Sequence, residues 1–156
     1  MRKVFLAVLA SAALMAFGSA QKFSVYAGYP LGLGGMYYLS ENLRVNGTLV
    51  VVPGAFGLGT GVDFILGKVP VVEQDPFPIN FYYGAGGALS FVGGSDVSIF
   101  ALGVIGFGGF EYRFSENLGL FTEFGAGPWM VFGKVAGVDV SGFAMGYMGR
   151  FGLNFY

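Results

Sequence analysis

The sequence contains neither cysteine nor histidine. Without cysteine there is no disulfide frame, no thiol nucleophile, no zinc ribbon and no N-terminal cysteine to carry a lipid. Without histidine there is no Ser-His-Asp hydrolase, no imidazole base and no histidine metal site. Charge is sparse as well. Asp, Glu, Lys and Arg make up 11% of the chain, against about 25% in an ordinary soluble domain. The few basic residues form no stripe of the kind that binds nucleic acid. The sequence therefore predicts no catalytic residue, no cofactor and no metal site.

Glycine and aromatics are abundant. There are 29 Gly, 18 Phe and 9 Tyr among 156 residues, with a single Trp. A hydrophobic share of 54% is far too rich for a disordered chain.

The first twenty residues read as an address. Arg2 and Lys3 supply a positive start, and Val4 to Phe17 is uncharged and mostly apolar. Gly18, Ser19 and Ala20 are small residues at the cleavage positions. This is the layout of a secretory signal peptide cut after Ala20. The apolar stretch is short for a membrane anchor, which needs about 20 residues. The mature domain is then residues 21–156. It keeps 8 − 2 = 6 basic and 9 acidic residues, a net charge of −3.

Long uncharged stretches follow, such as Phe23 to Ser40 and Val45 to Val62. They do not read as helices. Glycine recurs every few residues and costs about 1 kcal/mol per helix position relative to Ala. The remaining Val, Phe and Tyr suit strands. Period two emerges once the chain is cut at its turn signals. From Phe100 to Phe114 the even positions carry Leu102, Val104, Phe110 and Tyr112, while Glu111 and Arg113 fall on the odd side. A three-residue turn, Ser115-Glu116-Asn117, pairs Phe114 with Leu118 and keeps the apolar faces in register. Ser40-Glu41-Asn42-Leu43 repeats the same letters earlier.

Eight segments result, at about 22–29, 31–39, 43–52, 56–67, 79–91, 97–114, 118–132 and 140–156. An even number of antiparallel strands suits a closed up-and-down barrel. The two Ser-Glu-Asn turns then lie at one end, together with a longer connection from Lys68 to Pro78. Lys134 to Asp139 forms one of the connections at the other end.

The charges decide which face is outside. A soluble surface needs about 25–35% charged residues, yet the strands hold only Arg44, Asp63, Glu111, Arg113, Glu123 and Arg150. Each lies opposite the large apolar face of its own strand. Three positive and three negative groups can pair inside a narrow lumen, where an unpaired charge is costly. These six are expected to form a lumenal ion-pair network. The outward face carries aromatics toward both ends, among them Phe64, Phe110 and Phe151 at one and Phe56, Phe100 and Phe143 at the other. Val25, Leu33, Leu49, Val62 and Val104 lie between them. Two aromatic girdles around an aliphatic belt fit an outer-membrane barrel.

The leader, the eight segments, the hairpin EYRFSENLGLFTEFG (Glu111–Gly125) and the aromatic C-terminus resemble the small eight-stranded outer-membrane β-barrel superfamily. The barrel domain of outer membrane protein A is an example. The resemblance covers the mature chain and is one of pattern. It implies an all-β, eight-stranded antiparallel up-and-down transmembrane β-barrel in the bacterial outer membrane. Membrane lipids and the outer-membrane assembly machinery would be its partners. One departure is visible. Such chains usually end in a Phe in phase with the apolar series, but here the series is Phe151, Leu153, Phe155 and Tyr156 comes last.

Toward the end opposite the Ser-Glu-Asn turns the inward positions are small or apolar. Ile99, Ala101, Trp129, Val131 and Ala144 are the expected lining of an apolar vestibule able to hold a small hydrophobic ligand or an acyl chain. The competing expectation is that Ile105, Phe107, Trp129 and Met148 fill this space, since eight-stranded interiors are usually packed. Three functions stay open at this point. One is a structural envelope barrel with a closed lumen, and another is a narrow channel or transporter of small hydrophobic molecules. The third is a soluble secreted lipocalin-like binder with the opposite arrangement of faces. None of the three is an enzyme. Enzymatic barrels of similar scaffold rely on histidine.

Overall fold

The computed structural model describes residues 22–29, 32–52, 54–73 and 76–156. The expected signal peptide, residues 1–20, lies outside the described residues. Eight strands follow in chain order. They are β1 (Phe23–Tyr29), β2 (Gly32–Tyr38), β3 (Leu43–Val52), β4 (Ala55–Val72), β5 (Ile79–Gly94), β6 (Val97–Arg113), β7 (Leu118–Val135) and β8 (Val138–Phe155). Each pairs antiparallel with its neighbours in sequence, and β1 closes on β8 to form one barrel. Among the described residues there is no helix.

Alternation sets the two faces, because successive side chains on a strand point to opposite sides. On β6 the odd positions from Ala101 to Glu111 are buried and most of the even ones are exposed. The Ser-Glu-Asn turns close as their sequence predicts. The Phe114 N–H donates to the Leu118 carbonyl at 3.1 Å, and Leu39 donates to Leu43 at 2.9 Å. The Ser40 hydroxyl accepts from the Asn42 and Leu43 N–H groups, as a turn serine does.

Several strands are longer than their sequence pattern indicates. β4 continues through Val72, so the first part of the expected Lys68–Pro78 connection is strand paired with β5. β7 runs to Val135 and β8 starts at Val138, so the expected Lys134–Asp139 connection is almost wholly ladder, with Lys134 opposite Asp139. Only Ala136 and Gly137 turn the chain there. Both have positive φ, 50° and 80°, as a tight two-residue hairpin requires.

The register fixes the shape. Following partners around the barrel, Ser24 faces Met36, then Asn46, Gly61, Ala88, Gly103, Trp129 and Ala144. Yet Ser24 itself pairs with Asn154. The stagger is 154 − 144 = 10 residues, so the strands are tilted and the lumen is just wide enough for side chains. The rim is uneven, because β1 and β2 have seven residues each while β7 and β8 have eighteen.

Candidate functional site

The charged groups meet inside because the register places them opposite one another. Arg44 on β3 faces Asp63 on β4, and Glu123 on β7 faces Arg150 on β8. Each is a cross-strand ion pair on the inner face. The lumen is narrow enough for the pairs to join. Arg44 Nε donates to Asp63 Oδ2 at 3.1 Å, and Arg44 Nη2 donates to Glu123. Arg150 Nη1 donates to Asp63 Oδ2 at 3.2 Å and to Glu123 Oε1 at 3.0 Å. Two guanidinium groups and two carboxylates thus alternate around a ring, and the charges cancel.

Three of the four members, Arg44, Asp63 and Glu123, are buried, and Arg150 is partly exposed toward one side. Arg44 and Glu123 are 0% exposed. Tyr82 donates to Glu123 at 3.1 Å, and the Asn46 amide donates to Asp63 at 3.0 Å. The Phe107 ring lies 4.7 Å from the Arg44 guanidinium, and the Tyr26 ring lies 5.1 Å from that of Arg150. Buried charges demand this degree of pairing and hydrogen bonding.

Glu111 belongs to a second cluster nearer the Ser-Glu-Asn turns. It accepts from Lys22, from Lys68 at 2.9 Å, from the Asn154 amide at 3.1 Å and from the Tyr156 hydroxyl. Asn154 in turn accepts from Ser24 at 2.5 Å. Burial pulls the Lys22 ammonium down to about 8, against the opposing pull of Glu111. Burial and the Glu111 carboxylate both push the Tyr156 phenol well above its ordinary range.

Five of the six expected network residues therefore lie in ion pairs, in two clusters rather than one. Arg113 does not join them. Its Nε donates to the Ser115 carbonyl at 3.0 Å and Nη2 donates to the Glu116 carbonyl, while its guanidinium stacks on Tyr156 and Phe77. It stands at the mouth of the barrel, where the next turn offers carbonyl oxygens nearer than any carboxylate. Lys22 and Lys68 take its place in the charge balance. Sequence reading missed both: Lys22 opens the first expected segment, where alternation is not yet established, and Lys68 falls in an expected loop. The terminal phase explains itself here. Phe155 points out and stacks on Phe23 at 4.6 Å, so Tyr156 points in and reaches Glu111.

Two spaces flank the ring. The first, about 790 Å³, opens at the Ser-Glu-Asn end and is lined by Lys22, Lys68, Glu111, Arg113 and Tyr156 among others. The second, about 400 Å³, lies on the far side of the ring. Its walls include Val50, Ala88, Ile105, Trp129 and Met148, with Arg150 and Asn46 at its floor. Of the expected vestibule residues only Trp129 lines it. Ile99, Ala101 and Val131 do not line it, although Val92 and Ser90, the partners of Ile99 and Ala101 on β5, do. Ala144 is exposed, because that part of β8 has no β1 neighbour. Ile105 and Met148 form wall without filling the space.

No protein-family model and no curated protein matches the chain.

Proposed function

We propose that this chain is an integral outer-membrane β-barrel, non-enzymatic, with a structural role in the envelope and a lumen closed by its ring of ion pairs. Residues 1–20 would serve as the signal peptide, and residues 21–156 as the inserted barrel. Membrane lipids and the outer-membrane assembly machinery would be its partners.

One observation carries the reading: the faces are inverted. Arg44 and Glu123 are fully buried, while Phe143 is 79% and Leu33 71% exposed. A monomer in water rarely exposes more than a few hundred Å² of contiguous apolar surface. The outward apolar residues here belong to every strand of the barrel. Such a wall suits hydrocarbon, and ring closure pairs the backbone over most of each strand, as that environment demands. The same inversion weighs against the soluble container, which needs its charges outside.

A second reading, passage or storage of small hydrophobic molecules, is favoured by the apolar space beyond the ring. The ring itself opposes free passage through the barrel.

The test is fractionation of cells that express the full chain. The protein is expected in the outer-membrane fraction, resistant to carbonate extraction, with gel migration that changes on heating. Release into the soluble fraction without detergent would overturn the proposal and revive the soluble binder.

A further inference from the structure

The wall of the barrel is incomplete on one side. β1 ends at Tyr29, whose partner on β8 is Gly149. β8 continues past that point to Val138, and from Val138 to Met148 its second edge has no strand partner among the described residues. That free edge extends roughly 35 Å along the strand. Only residues 30 and 31 separate β1 from β2, so this hairpin is too short to cover it. The next strand beyond the hairpin, β3, reaches Val52. A slot-like notch therefore opens above the end of β1, bounded on one side by the free edge of β8, while β3 rises only two residues past Val50, the partner of Gly32.

The slot and the apolar space are continuous. Gly28 and Tyr29 at the end of β1, and Tyr147, Met148 and Gly149 where β8 loses its partner, all line that space. Apolar side chains also frame the slot from outside. Tyr29 and Val51 are 68% exposed, and Tyr147 is 64% exposed. The far end of the space is closed by the neutral ring, which has no surplus charge to recruit an ion. A volume of about 400 Å³ lies within the range of small-molecule sites.

We propose that the step between β1 and β8 is a lateral port, through which an acyl chain of a surrounding bilayer lipid enters the lumen and lies against Trp129 above the charged ring. The inference rests on the membrane reading. Hydrocarbon does not tolerate a bare strand edge, but an edge that lines a cavity is allowed. Of the unpaired stretch of β8, Gly146, Tyr147 and Met148 line that cavity, so the port accommodates the part of the free edge nearest β1. Its mouth is continuous with the apolar outer belt, so bilayer lipid is the source nearest to hand.

The single tryptophan is a built-in reporter. Its indole lies against Gly103 and Gly146, where an added Cβ would collide with the ring. The full-length barrel is refolded into phosphatidylcholine vesicles with plain or brominated acyl chains, and flotation is scored separately. Emission is expected to fall at least twofold in the brominated vesicles. Gly59→Phe should restore most of it by filling the space, since a Cβ there meets nothing closer than 3.7 Å. Ala88→Phe does the same from a neighbouring strand, and circular dichroism checks that each variant folds. Floating protein with unquenched emission would overturn the port. So would equal quenching in both filled variants, because bromine would then be acting through the wall. Quenching by a free bromoalkanol in detergent, with none by brominated lipid, would also overturn lateral entry, in favour of a free hydrophobe entering by the rim. Failure to float would remove the membrane reading itself and the port with it.

Discussion

Glu123 is the residue on which the interior turns. It accepts from Arg44, Arg150 and Tyr82 at once. Removing one partner from a buried ion pair costs about 3–5 kcal/mol, because the remaining charge stays desolvated. Glu123→Leu leaves two guanidinium groups to share the Asp63 carboxylate alone, so it should destabilise by about that range. A lowered urea midpoint for the barrel in detergent is the measurement. Adding Arg44→Met should recover part of the loss. Lys22 offers a test by pH. Its ammonium is held near 8 in the folded protein against an ordinary 10.5. The unfolded chain therefore binds this proton more tightly. Below about 8 folding carries that cost in full, and stability rises as pH climbs from about 8 to 10.5. An NMR titration of the dimethylated lysines should show one midpoint near 8, assigned by its loss in Lys22→Arg. A Lys22 midpoint at the ordinary value would mean that the amine is hydrated.

At the level of elements, the strands were legible and their ends were not. Alternation announces β6 and the first part of β7, because charge and glycine fall on one side and large apolar residues on the other. The extension of β4 was hidden by Pro70. A proline has no N–H for a ladder and is confined to edges and bulges. β3 begins at Leu43, opposite Phe64, so beyond Ile65 the other side of β4 is a free edge and Pro70 is tolerated there. The β7–β8 hairpin was missed for the opposite reason. Ala136 sits at a positive φ of 50°, where Asn or Gly is the usual residue. Ala136→Asn should therefore stabilise the barrel by about 1 kcal/mol. A raised thermal midpoint of the gel-shifted, folded form would show it. No change would mean that the turn adopts another conformation in the folded barrel.

For the molecule as a whole, the stagger of ten residues and the neutral ring decide permeability. The refolded protein should show no steady conductance in planar bilayers. Arg44→Ser combined with Glu123→Ser removes two side chains from the centre of the ring and should produce discrete open events. Large steady conductance of the unaltered protein would contradict a closed lumen. By itself the sequence determined the strand number, the pairing order and the face that carries the charges. Those properties follow from period-two alternation and from turn residues, which are local. It also supplied Arg44, Asp63, Glu111, Glu123 and Arg150 as lumenal residues, since each lies opposite its strand's apolar face. Only the tertiary structure decided which charge meets which. The division into two clusters, the exclusion of Arg113 and the recruitment of Lys22 and Lys68 depend on register and tilt, which bring together side chains far apart in the chain. The height of each wall, and hence the step between β1 and β8, was also settled there, because it is a difference between strand lengths that only closure of the ring sets side by side.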